Sequence, residues 1–154
     1  MKLVMKKVRE SAVTPSYGSA YAAGADLYAC LEEDVLVGCG KTVMIPTGIA
    51  MAIPEGYVGL IFARSGLSCK HGLAPANKVG VIDSDYRGEV MVALHNHNDL
   101  GEELSEADRS RFTIHHGDRI AQIVFVPYQT AEFELSDQLP DTDRGTGGFG
   151  STGK

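Results

Sequence analysis

The chain contains no tryptophan, and aromatic residues make up only 7% of it. Cysteine is scarce too: Cys30, Cys39 and Cys69 form no C-x-x-C pair. An odd count without a secretory signal favours reduced thiols in a reducing compartment, acting as small buried or half-buried hydrophobes. Basic residues are outnumbered, 14 Lys+Arg against 20 Asp+Glu, for a net charge of −6. With no long basic run, the chain is a poor candidate for binding duplex nucleic acid. Long hydrophobic runs are missing as well. Only Leu3, Val4 and Met5 separate the first lysines, far short of a signal-peptide core. No stretch approaches the roughly 18 apolar residues of a membrane span. These absences predict a soluble, intracellular protein of the cytoplasm, or of a eukaryotic nucleus, with neither nucleic acid nor membrane as partner.

Glycine is what the chain has in excess, 18 of 154 residues, implying many turns or a backbone that closely approaches a ligand. At this length one domain buries roughly two-thirds of its unfolded surface, without help from disulfides or a structural metal. An apolar fraction of 44% beside 22% charged residues excludes a disordered chain.

Periodicity points to strands. Val43–Ile45, Ile49–Ile53, Tyr57–Phe62, Val90–Leu94 and Ile120–Val126 are short apolar or β-branched runs, and Thr130–Leu135 reads as one more. Pro46-Thr47-Gly48, Pro54-Glu55-Gly56 and Arg87-Gly88 read as the turns between them. One short helix is expected after Arg64, capped by Ser65, built from Leu67 to His71 and ended by Gly72. Asp99 to Arg111 is polar, either a second short helix or a surface loop. With no amphipathic helix of three turns, the pattern favours an all-β barrel or sandwich. It divides into a domain over residues 1–143 and a glycine-rich tail over 144–154, mobile until something orders it.

Gly145, Gly147 and Gly150 match G-x-G-x-x-G, and Gly148 to Lys154 approaches a Walker A loop. Both motifs work only between a strand and a helix, and the sequence reads as neither on the two sides of these glycines. What survives is chemistry. Small residues let N–H groups close around an anion, Arg144 offers a bidentate fork for phosphate, and Phe149 can stack on a base. Four further segments concentrate polar groups: Ala23-Gly24-Ala25-Asp26-Leu27-Tyr28, Ala63-Arg64-Ser65-Gly66-Leu67-Ser68, Gly80 to Gly88, and Gly117-Asp118-Arg119-Ile120-Ala121-Gln122. Taken singly, each reads as solvated surface near a turn.

Together and in this order, the five segments resemble the five motifs of the trimeric dUTPase family (deoxyuridine triphosphate nucleotidohydrolases). GVIDSDYRGE and RGTGGFGSTG carry the resemblance most specifically, and it runs from about Gly24 to Gly153. It implies a jelly-roll-type β-barrel and a homotrimer whose active sites draw motifs from all three chains. The implied reaction is hydrolysis of dUTP to dUMP and pyrophosphate, with Mg2+ held mainly by substrate phosphates and water rather than by protein ligands. Such an enzyme limits uracil in DNA and supplies dUMP for thymidylate synthesis. By the same resemblance Asp83 aligns the attacking water, and Asp26 helps organise the water and magnesium environment. Tyr86 packs on the sugar and excludes a 2′-hydroxyl, and Asn77 contacts uracil. Arg64, Ser65, Gly66 and Gln122 bind phosphates. Arg144, Phe149, Gly150, Ser151 and Thr152 form the tail that grips the γ-phosphate and covers the base. Ala63 and Ala22 depart from the proline and serine often found there, and the Asp99 to Arg111 connection is long.

An acidic protein can still bind a triphosphate, because mean charge does not describe a pocket; Arg64, Arg119 and Arg144 are candidates for the local cluster. His95 and His97 would share a strand face and His115-His116 form a pair, both read as hydrogen-bonded or solvated rather than zinc ligands. Tyr28 and Tyr57 read as packing residues. Two rivals remain: a dCTP deaminase of similar fold, which should lack the phosphate-gripping tail, and a catalytically silent interaction module of the same family.

Overall fold

A computed structural model describes residues 1–98 and 111–148. Its elements, in chain order, are β1 (Val4–Lys7), β2 (Ser16–Tyr17), β3 (Ala25–Tyr28), β4 (Val35–Val37), β5 (Thr42–Ala52) and β6 (Tyr57–Phe62). There follow α1 (Ser65–His71), β7 (Leu73–Pro75), β8 (Gly80–Ile82), β9 (Glu89–Asn96), β10 (Phe112–Ile114) and β11 (Arg119–Pro127). Two sheets make the body, one ordered β1-β5-β9-β7 and the other β2-β3-β11-β6-β8, with β10-β4 as a small third ladder. All the pairings are antiparallel. The all-β, jelly-roll-type expectation holds.

Alternation explains how the sheets bury a core. Along β9, Val90, Val92, Leu94 and Asn96 face in, and along β3, Ala25 and Leu27 do. They meet Ile45, Ile49 and Met51 of β5, Ile61 of β6, and Ile120, Ala121 and Ile123 of β11 in one continuous cluster. Each fully buried aliphatic side chain contributes about 1.5–3 kcal/mol relative to exposure. Buried Asn96 is satisfied within the core, its Nδ2 donating to Val37 O at 3.0 Å.

Several local expectations are corrected. Pro46-Thr47-Gly48 is no turn between strands: β5 runs through it, and the register jumps from Pro46↔Met91 to Ala50↔Glu89. Proline and a glycine at φ +70 produce a bulge, because the flanking residues still find ladder partners. The helix forms where expected, but Arg64 is its N-cap, in extended backbone with no side-chain cap bond, and Ser65 lies inside the first turn. Gly72 ends it at φ +66, donating back to Ser68 O. Thr130–Leu135 is not a strand: it has no ladder partner among the described residues, and Phe133 and Leu135 are 95% and 99% exposed. Cys30 is buried and Cys39 intermediate, but Cys69 is exposed on α1. The Asp99 to Arg111 stretch lies outside the described residues up to 110.

Candidate active site

Adjacent strands bring three of the sequence segments to one end of a sheet. Gln122 of β11 pairs with Asp26 of β3 on one side and Phe62 of β6 on the other. Both polar side chains alternate with core residues, so they stand on the face turned away from the core. The chain leaving Phe62 carries Ala63 and Arg64 into the same row. Arg64 Nε donates to Asp26 Oδ1 at 2.8 Å, and Arg119 Nη1 to Oδ2 at 3.2 Å. Arg64 Nη1 also reaches Arg119 O at 3.2 Å, while Gln122 Nε2 donates to Ala63 O at 2.9 Å. Gly24 lets the Gln122 amide lie close over the backbone here, since a Cβ would displace Gln122 Oε1.

One carboxylate between two guanidiniums leaves a net positive charge, half-buried and fixed in direction. A guanidinium carries five donors, so each arginine keeps several for an incoming anion. Ser65 and Gly66, at the first turn of α1, are exposed beside this cluster.

The third segment lies elsewhere. β8 is antiparallel to β6, with Gly80 opposite Ile61 and Ile82 opposite Gly59. Asp83, just past Ile82, therefore sits at the end of β6 remote from Arg64. Five residues of extended chain from Gly59 to Arg64 span about 16 Å. Asn77 lies at the near end, in an exposed turn where Lys78 holds a left-handed φ of 65°.

Asp83 opens a turn closed by Tyr86 N donating to its carbonyl at 3.2 Å. Arg87 Nη1 braces that turn from within, donating to Ser84 O at 2.6 Å and Tyr86 O at 2.9 Å. Tyr86 lies against Gly88, where any Cβ would strike the ring, and its hydroxyl donates to Glu89 O at 3.1 Å. A cavity of about 270 Å³ opens here, with Met44, Val81, Ile82 and Met91 around Asp83 and Tyr86. Apolar walls beside two carboxylates, Asp83 and the Arg9-paired Glu89, suit a sugar or base edge more than a phosphate.

Sequence reading missed the support under this turn. Arg9 Nε and Nη2 donate to the two oxygens of Glu89 at 2.8 and 3.2 Å, and Gly48 N donates to Glu89 Oε1 at 2.8 Å. The bond from Arg9 holds the Glu89 carboxyl below its ordinary range, with the Gly48 N–H helping and partial burial opposing. No local signal could have revealed a pair 80 residues apart.

Of the remaining candidates, Arg144 is exposed and turned onto its own segment, Nε donating to Gly147 O at 2.9 Å. Phe149, Gly150, Ser151 and Thr152 lie outside the described residues. His95 Nδ1 shares a hydrogen bond with Thr42 Oγ1 at 2.8 Å, and His115 Nδ1 pairs with Asp34 at 2.8 Å. Tyr57 packs on the core, and Tyr28 shares a hydrogen bond with Ser16.

Known proteins with these features are consistent. The family model for dUTPase matches residues 10–153. A deoxyuridine 5'-triphosphate nucleotidohydrolase of Desulfitobacterium hafniense is 52% identical over 140 residues, covering 90% of this chain and 86% of its own. A mutant Staphylococcus bacteriophage 80alpha dUTPase solved with dUpNHpp superposes at TM-score 0.87 and 30% identity, over 99% of both chains. A dUTPase mutant from phage phi11 of S. aureus, solved for its coordination of a structural Mg(II) ion, matches at TM-score 0.78 and 30% identity, over 90% of this chain and 98% of that one. With motif segments, fold and relatives in agreement, this chain belongs to the dUTPase family.

Proposed function

We propose that the chain hydrolyses dUTP to dUMP and pyrophosphate in sites assembled between copies of itself, as a homotrimer. The observation that carries this reading is the separation along β6. The arginine cluster and Asp83 stand at opposite ends of one strand. In-line attack needs reacting atoms about 3–3.5 Å apart. A second copy, presenting its Arg64 and Arg119 to the Asp83 cavity, would supply the missing half. Exposed apolar groups support the same arrangement: Val81, Met44 and Met91 rim the cavity, and Phe133, Leu135 and Leu139 have no cover among the described residues.

Within such a site, Asp83 would align water toward the α-phosphorus and accept its proton. Tyr86 would back the deoxyribose and Asn77 the uracil. Arg64, Ser65, Gly66 and Gln122 would bind phosphates, with Asp26 holding both guanidiniums in place. Residues 144–154, including Arg144, Phe149, Gly150, Ser151 and Thr152, would close over the nucleotide as a unit distinct from the barrel. Catalysis of this kind is mainly positioning and charge stabilisation.

Mg2+ fits the donor chemistry. The side chains available are oxygen donors, and among the described residues no three His, Cys, Asp or Glu cluster into a cage. The ion prefers to keep waters and bind substrate phosphates, so Asp26 and Gln122 would meet its water shell. When bound, it neutralises the triphosphate. No helix among the described residues is long and apolar enough to cross a membrane, and the acidic balance argues against nucleic-acid binding.

Pyrophosphate and ammonia release, measured across dUTP, dTTP, dCTP and UTP, tests the reading. The expected result is pyrophosphate from dUTP alone. Ammonia from dCTP would reveal a deaminase, and no turnover by an intact oligomer would reveal a silent module.

A further inference from the structure

Between Pro46 and Ala50 the β5–β9 ladder breaks, and side chains replace it. Thr47, Gly48 and Ile49 face the single residue Val90. The buried Thr47 hydroxyl donates to Val90 O at 2.6 Å and accepts from Ile49 N at 3.3 Å. Glu89 closes the other side by accepting from Gly48 N, and both arms of Arg9 then grip its carboxylate. The backbone oxygen of this same Glu89 receives the Tyr86 hydroxyl. One residue thus joins the N-terminal segment, the β5 bulge and the aromatic ring beside Asp83.

We propose that Arg9 and Glu89 are positioning residues. Their bidentate pair fixes the carbonyl that anchors the Tyr86 hydroxyl, and so sets how rigidly the ring walls off a ribose 2′-hydroxyl. The proposal rests on the reading of Tyr86 as the residue that faces the sugar.

Geometry supports the assignment. Tyr86 is 44% exposed, so core packing does not hold its ring. Arg87 braces the backbone of the turn but bonds only to carbonyls. The far end of the ring is tethered through its hydroxyl to Glu89. Discrimination by shape requires a wall that does not give, since the excluded group is one oxygen atom. With Arg9 41% and Glu89 20% exposed, the pair is partly buried, so its loss should lower stability as well. Sugar selectivity is the readout that separates positioning from packing.

The test compares kcat and KM for dUTP and UTP in Arg9→Met, Glu89→Gln, Tyr86→Phe and Tyr86→Ala, at one protein concentration. Each of the first three should lower the dUTP-to-UTP ratio of kcat/KM by about tenfold. The Arg9→Met/Glu89→Gln double variant should go no further than either single change, because both remove one interaction. Arg9→Lys, which keeps the charge but loses the fork, should recover part of the ratio. A melting temperature that falls while the ratio stays at its wild-type value would mean a purely structural pair and overturn the proposal. Tyr86→Ala separates the two layers. If the ratio survives in Tyr86→Ala, the sugar-facing reading fails and the clamp with it. If Tyr86→Ala collapses the ratio while Arg9→Met and Tyr86→Phe leave it intact, only the clamp fails.

Discussion

The two ends of β6 hold their polar groups by different means. At one end, Arg64 and Arg119 are fixed by the Asp26 carboxylate and Gln122 by the Ala63 carbonyl, and the strand row sets their spacing. At the other, Asp83 stands exposed on a turn secured through its backbone, by Arg87 beneath and Glu89 behind. The first arrangement preorganises charge for an anion. The second leaves a carboxylate open to water, with no ion pair to its oxygens among the described residues. Under the proposed assembly, that difference would suit an electrostatic binding half and a water-aligning half, supplied to one site by different chains.

The sharpest way to break this comparison is to disable each half separately. Asp83→Asn is nearly isosteric yet cannot take a proton, and a positioned base is worth about 10²- to 10⁴-fold in turnover. Arg64→Ala should be comparably poor while leaving the other half intact. Chains carrying one change, reassembled with chains carrying the other, should regain activity. Random mixing of equal amounts in a symmetric oligomer leaves both halves intact in about a quarter of sites. Mixed samples as inactive as either parent would show that each site lies within one chain.

Asp26→Asn probes the electrostatic half alone. The amide keeps the shape but leaves two guanidiniums without their shared anion, so kcat/KM should fall about 10- to 100-fold. A lower KM with unchanged kcat would instead show that Asp26 competes with phosphate for the arginines.

The support behind the Asp83 half can be loosened at Gly48. Its φ of +70 already disfavours a side chain, and a Cβ would collide with Ala12 Cβ and Cys30 Sγ. Gly48→Ala should cost about 2–4 kcal/mol from the collision and the left-handed backbone. Denaturant unfolding at fixed protein concentration measures it. A change below ~0.5 kcal/mol, the usual size for surface substitutions, would mean the bulge relaxes freely.

How much of this was visible beforehand depends on the range of the interactions. Runs such as Tyr57–Phe62 and Ile120–Val126 declare themselves because their residues are all buried or partly buried by the surrounding structure, so composition and structure coincide. The turn at Gly56 was legible for the same local reason, with φ +80 and Tyr57 N donating to Pro54 O at 3.1 Å. Pro46-Thr47-Gly48 carries the same turn residues yet forms a bulge, because distant partners, Met91 for Pro46 and Glu89 for Ala50, hold both flanks in one sheet. Thr130–Leu135 has strand composition, but a strand needs a neighbour, and the described residues offer none. The order of motifs pointed to Asp26 and Arg64 individually. Their meeting required sheet order, which spacing does not encode. Arg9 and Glu89 left no trace for the same reason.

The smallest effect should appear at the outer edge of the arginine half. Ile114 pairs with Val35, which sets the next residues, His115 and Asp34, in contact at 2.8 Å. The hydrogen bond that His115 donates to Asp34, with the carboxylate's charge, raises the His115 pKa above the ordinary imidazole value. The sign follows directly: a raised folded pKa means the native chain holds the proton more tightly than the unfolded one. The pair's stabilisation is complete below the unfolded imidazole pKa and disappears as pH rises through the folded value. Asp34→Asn should therefore melt slightly below the wild type near about pH 5 and coincide with it near about pH 9. Both partners are 60% exposed, so added salt should narrow the gap at low pH. The turn from His115 to Asp118 leads straight into Arg119, and His115 N already donates to Asp118 Oδ2 at 2.8 Å. Because that bond holds the turn whatever the charge on the ring, kcat/KM for dUTP should not follow the melting difference. A parallel loss of activity in Asp34→Asn would show that the edge pair helps to aim Arg119, and that the arginine half is less self-contained than its bonds imply.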